Sequence, residues 1–202
     1  MKYLALGDSY TVGEGVAPEA RWPDALAAAL RGDGIALDPP RVIAATGWTT
    51  DELQAAIDAA EPLGSWDFVS LMAGVNNQYR GRGVDEYREQ FDALLHHAVA
   101  LAGGQANRVL VLSIPDWGVT RFGAESGRDP GAVSRAIDAF NDAASALCER
   151  HGVAFVDITG LSRKHGGEAA MLAEDGLHPS AAMHDTWMRA ALPAARTLLA
   201  SA

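Results

Sequence analysis

The chain has 202 residues, 49% of them apolar and 21% charged, with a formal net charge of −10 and a pI of about 4.9. That length builds one α/β domain with a full hydrophobic core, residues 1–202, and is short for two. Acidity spread along the chain repels phosphate backbones and anionic lipid, which excludes nucleic acid and stable membrane insertion from the expected functions.

The first predicted strand covers residues 2–6. Its apolar run is too short for a signal-peptide core, and no run approaches the roughly 18 apolar residues of a membrane span. A single cysteine, Cys148, allows no intrachain disulfide, so a cytoplasmic location is expected. Gly7-Asp8-Ser9-Tyr10 ends this strand, and Thr11-Val12-Gly13-Glu14-Gly15 follows. A serine at a strand's carboxyl end projects its hydroxyl into the crevice where parallel sheets bind ligands. Ser and Asp also serve in such places as turn or cap residues.

A helical pattern at 23–31 leads to a second strand at 41–45 and then Thr46-Gly47-Trp48. Thr49 and Glu52 have the spacing of a capping box, which opens a helix over 49–60. Gly47 has no side chain to block approach, and its N–H lies near the positive end of that helix. A third strand at 67–73 is followed by Gly74-Val75-Asn76-Asn77. An asparagine amide there donates into the same crevice without carrying charge, and asparagine is also a turn residue. The helix at 85–102 stops at Gly103-Gly104.

The fourth strand, 108–114, ends in Ser113-Ile114-Pro115-Asp116-Trp117-Gly118, read as pocket wall with Trp117 as a substrate contact. Ser113 lacks a neighbouring base or oxyanion motif. Asp129-Pro130 opens another helix, and 153–156 forms a short fifth strand. Asp157 closes it and is a second candidate partner for a catalytic histidine. Asp175-Gly176-Leu177-His178-Pro179-Ser180 precedes the last helix, in which Pro193 should produce a kink. The Asp-to-His spacing lets the carboxylate fold back on the imidazole, hold Nδ1–H and leave Nε2 to take a serine proton. His96, His97 and His151 read as surface groups, and His165 as part of a mobile loop. The histidines and carboxylates show no His-Glu-x-x-His or paired-Cys spacing, so no metal or other cofactor is expected.

Strand–helix alternation with short connections specifies a right-handed, doubly wound parallel sheet of five strands. The four post-strand segments supply a nucleophile, a base with its orienting carboxylate, and two oxyanion donors.

These segments resemble the blocks of the GDSL esterases, or SGNH hydrolases, whose four name residues match Ser9, Gly47, Asn76 and His178. Tyr10 stands where the family name has leucine. Asn77 stands where the third block usually has aspartate. The resemblance implies a flavodoxin-like three-layer α/β/α sandwich and a metal-free acyl-enzyme mechanism on small-molecule esters. It implies Ser9, Asp175 and His178 as catalytic residues, and the Ser9 N–H, Gly47 N–H and Asn76 amide as the oxyanion hole. Asp8, Trp48, Asn77 and Trp117 are expected to touch substrate; Gln78, Tyr79 and Arg80 are further candidates. Short-chain acyl or acetyl esters are the expected substrates. Two rivals remain: transfer of the acyl group to an alcohol, and a non-catalytic flavodoxin-like protein whose loop at 9–15 cradles a phosphate.

Overall fold

The computed structural model describes residues 1–200. Five runs dominated by apolar side chains pair side by side as β1 (Tyr3–Gly7), β2 (Arg41–Ala44), β3 (Phe68–Met72), β4 (Val109–Leu112) and β5 (Ala154–Val156). All four pairings are parallel, in the order β2-β1-β3-β4-β5. The residues of β1, β3 and β4 are buried on both faces, which is why these strands lack polar alternation.

The connections carry α1 (Ser9–Val12), α2 (Trp22–Gly32), α3 (Thr50–Ala60), α4 (Val75–Tyr79) and α5 (Val84–Leu101). They continue with α6 (Arg121–Glu125), α7 (Pro130–His151), α8 (Thr159–His165) and α9 (Ala181–Ala200). α2 packs on α9, while α5 packs on α3 and α7, so helices cover both faces of the sheet. This is the three-layer α/β/α sandwich. The predicted strands differ from the ladders by a residue or two at either end: the first stops one residue short of Gly7, and the second, third and fourth run past Ala44, Met72 and Leu112 toward the cleft. α9 continues through Pro193 to Ala200. No helix among the described residues is long and apolar enough to cross a membrane.

The core is continuous and includes Trp22, Trp117 and Trp187, all nearly or fully buried. Strand order reverses at β1, so the connections leaving β1 and β3 depart to opposite faces. The crevice beyond their carboxyl ends is the position where such sheets bind ligands. Ser9 lies just beyond β1, and Asn76 just beyond β3.

Candidate active site

The turn after β1 is fixed by its own residues. Asp8 caps α1: its Oδ1 accepts the Tyr10 N–H at 3.0 Å, and its carbonyl accepts from Thr11 and Val12, both at 3.0 Å. Gly13 closes the turn, its N–H donating to the Ser9 carbonyl. Ser9 is therefore the first residue of a helical turn, and its N–H falls outside the helical bonding pattern. The carboxylate of Asp8 occupies the place a phosphate would take at this helix start, which argues against the phosphate-cradle rival.

Ser9 shares a cleft of about 170 Å³ with Thr46, Gly47, Asn76 and His178. The structure thus brings together the serine, glycine, asparagine and histidine from four separate loops. Gly47 sits at φ +87°, a conformation that suits glycine. Its carbonyl accepts from Arg80 Nη2 at 2.7 Å, and Arg80 also pairs with Glu52. Glu52 in turn accepts the Thr49 N–H at 2.9 Å, the returning half of the predicted capping box. The Asn76 amide donates one hydrogen to the Trp48 carbonyl at 2.9 Å. That bond sets its orientation and leaves a second hydrogen for a ligand.

The loop bearing Asp175 and His178 is cross-braced. Asp175 Oδ1 accepts the N–H groups of Leu177 (2.9 Å) and His178 (3.0 Å), and Oδ2 meets His178 Nδ1 at 2.6 Å. Partial burial pushes the Asp175 carboxyl up, but bonds from the His178 ring and these two N–H groups outweigh it and hold it below its ordinary value. It is therefore ionised at neutral pH, and Nε2 of the imidazole is left to act as acceptor. Around the loop, Ala173 N–H bonds to the His178 carbonyl at 2.8 Å and Phe122 N–H to that of Gly176 at 3.0 Å. Arg121 Nη2 donates to the Glu174 carbonyl at 2.7 Å. Gly176 has φ +71°, and a Cβ there would collide with the Arg121 guanidinium.

The rest of the cleft is apolar. Tyr10, Val75, Tyr79, Trp117, Phe122 and Leu177 line it. Trp117 is held by its indole N–H on Gln78 Oε1 at 2.7 Å, and the Tyr79 ring meets it edge-on at 5.2 Å. The Arg128 guanidinium lies 4.4 Å over Tyr79 and donates to the Tyr79 carbonyl at 2.9 Å. Tyr10, Trp117 and Leu177 also border a second apolar cavity, of about 20 Å³, that reaches back to Met183 and Trp187. The sequence pointed to Trp117 and Tyr79; it did not indicate Phe122, Leu177 or the wall role of Tyr10, which come together only through tertiary packing.

Three expected substrate contacts require correction. Asp8 is fully buried and does not line the cleft; burial pushes its carboxyl up to about 7, and its Oδ2 has no hydrogen-bond partner among the described residues. Asn77 is fully buried as well: its Oδ1 accepts the Thr50 N–H at 3.0 Å and its Nδ2 donates to Thr50 Oγ1 at 2.7 Å. It ties α4 to the start of α3. Trp48 lends its carbonyl to Asn76 while its ring packs against the core. Of the further candidates, Gln78 faces Trp117 and Arg80 faces Gly47.

The other candidates resolve on their partners. Ser113 is buried and donates to Asp157 Oδ1 at 2.9 Å, so Asp157 serves the end of β4 and not His178. Ser113 also accepts from the N–H of Ile158 at 2.8 Å. His165 ends α8 and pairs with Glu168 at 2.8 Å.

The GDSL-like Lipase/Acylhydrolase family model matches residues 5–186. Among solved structures, TesA superposes with a TM-score of 0.78 at 21% identity, covering 98% of this chain and 100% of that one. The acetylxylan esterase Axe2 from Geobacillus stearothermophilus gives 0.73 at 23% identity, covering 96% and 93%. The lipase/acylhydrolase from Enterococcus faecalis gives 0.72 at 20% identity, covering 96% and 94%. No curated protein matches the sequence at a significant level.

Proposed function

The chain belongs to the GDSL-like Lipase/Acylhydrolase family and is a serine hydrolase acting on ester bonds; from that premise we propose that a single domain, residues 1–202, hydrolyses short acyl or acetyl esters through an acyl-enzyme on Ser9. The observation that carries this reading is the His178 ring, bonded at Nδ1 to Asp175 at 2.6 Å, in one cleft with Ser9 and Asn76.

The reaction follows from that arrangement. His178 Nε2 takes the Ser9 hydroxyl proton as Oγ bonds to the ester carbonyl carbon. The carbonyl oxygen, now an anion, receives hydrogen bonds from the Ser9 N–H, the Gly47 N–H and the free Asn76 hydrogen. The C–O bond to the alcohol breaks, and His178 returns the proton to the leaving oxygen. A water molecule, deprotonated by the same nitrogen, then releases the acid and restores Ser9. Asp175 stays ionised and stabilises the imidazolium.

The narrow space adjoining the cleft supports the acyl preference. The cavity behind Tyr10, about 20 Å³, holds roughly one water and no alkyl chain. The partly exposed Tyr79 ring lines the cleft with the Arg128 guanidinium over it, an aromatic surface beside hydrogen-bond donors of the type that saccharides contact. Acetylated saccharides, in keeping with the acetylxylan esterase among the structural neighbours, fit that combination. The single thiol, Cys148, is buried and its pKa pushed up to about 12 by burial; an inert thiol of this kind fits the cytoplasmic location that is part of the proposal.

The test is a p-nitrophenyl ester series of rising chain length on wild type and Ser9→Ala. The proposal expects kcat/KM to peak at acetate or butyrate and to fall by roughly 10⁴-fold or more in Ser9→Ala. A peak at long chains sinks the acyl preference, and retained turnover in Ser9→Ala sinks the mechanism. Added alcohols in the same assay distinguish hydrolysis from acyl transfer by the product formed.

A further inference from the structure

Away from the cleft, three side chains on two helices converge with the donor atoms and spacing of a metal site. Asp92 and His96 are one turn apart on α5 and so project from the same face. His151 is the last residue of α7, which packs alongside α5. His151 Nε2 lies 2.7 Å from Asp92 Oδ1, and His96 Nδ1 lies 3.6 Å from the same oxygen. The two imidazoles meet edge to face with centroids 4.4 Å apart. One ligating atom from each of the three residues lies within 4.8 Å of the other two.

We propose that Asp92, His96 and His151 bind a divalent transition-metal ion, with zinc as the first choice, that braces α5 against α7. A tetrahedral zinc with bonds of about 2.0–2.1 Å sets its ligand atoms about 3.3 Å apart. The observed spacings of 2.7 and 3.6 Å straddle that figure, so the ion enters as the His151–Asp92 hydrogen bond opens by a fraction of an ångström. His96 Nδ1 also contacts the Asp92 carbonyl at 2.8 Å; binding the ion at Nδ1 replaces that contact and leaves the ring proton on Nε2. Two imidazoles and one carboxylate suit zinc, nickel or cobalt, and not calcium or magnesium, which favour all-oxygen shells. The fourth position is open to water. His97, next in sequence, turns away to Gln54 and Glu61 and takes no part.

The site lies where α7 ends and β5 is about to begin, at the edge of the sheet opposite the cleft. The brace is therefore structural and independent of the esterase reading. Short sequence motifs miss it because the ligands come from two helices, with the third far along the chain.

The experiment is zinc titration by calorimetry and thermal melting of the chelator-stripped protein, with magnesium as control. Wild type, His96→Ala and His151→Ala are compared. His96 is the more exposed of the two, so its variant retains the fold. Expected are one zinc per wild-type chain, a rise in Tm on the order of 5 °C at millimolar zinc, and at least about tenfold weaker binding in each variant. Absence of stoichiometric binding, a Tm unchanged or lowered by zinc, or variants that bind as tightly as wild type would overturn the proposal.

Discussion

Two buried ionisable residues near the cleft give the protein a pH response that no surface charge supplies. Burial pushes Asp8 up to about 7. Burial, helped by the charge of His178, pushes His184 down to about 4. For His184, the unfolded chain takes a proton below about 6.5 that the folded chain refuses until about 4, so stability is lost as pH falls through that window. For Asp8, the folded chain keeps a proton that the unfolded chain releases above about 3.8, so stability is lost as pH rises from there to about 7. Each slope approaches 1.4 kcal/mol per pH unit, and between about pH 4 and 6.5 they oppose each other. Urea unfolding across this range therefore gives a nearly flat profile for wild type as far as these two groups decide it. Asp8→Asn keeps the cap and exposes the His184 slope, so its stability rises with pH. His184→Gln exposes the opposite slope. Two single variants with the same pH profile as wild type would contradict this balance. At the oxyanion hole, Asn76→Ala is expected to lower kcat about 10²–10³-fold with little change in melting temperature. Its amide is only partly buried and bonds internally to the Trp48 carbonyl.

At the scale of elements, the strands and long helices were legible because their apolar patterns extend over enough residues to show a period. The short helices α1, α4, α6 and α8 were not; each has at most seven residues. Their caps were visible in part: Asp8 and Gly13 bracket α1, yet so short a turn reads equally well as loop. The two loops proposed to hold the oxyanion were legible as post-strand motifs. The reason Asn77 belongs to α3 and not to substrate was not, because Thr50 becomes its partner only when the two segments pack. The loop we propose to be catalytic was readable in its Asp175 and His178 but not in its brace from α6. That brace makes a prediction. Gly176→Ala forces a side chain into a left-handed conformation against the Arg121 guanidinium. The loop must shift, and a displacement of the order of 1 Å at a reacting group costs up to about 10²-fold in rate. A kcat loss in a variant whose KM and far-ultraviolet spectrum stay close to wild type is the expected result; unchanged kcat would show that the loop tolerates the shift.

For the whole molecule, the strand order decides where chemistry gathers. With β1 flanked by β2 and β3, the three loops leaving these strands meet at one edge. The loop before α9 approaches from the C-terminal end of the chain and supplies Asp175 and His178. Four stretches far apart in sequence are joined by the topology alone, and the sheet was legible enough in the sequence to foresee that meeting. The aromatic wall from Tyr79, Trp117 and Phe122 was not foreseeable in full, since its shape depends on how the 115–129 segment folds over the sheet. The most direct measurement of the central claim is the mass of the Ser9-containing peptide after reaction with a fluorophosphonate, in wild type and His178→Ala. The account predicts one covalent phosphonyl adduct on Ser9 in wild type and labelling slowed by several orders of magnitude in the variant. An adduct on another residue, or equal labelling rates in both proteins, would contradict it.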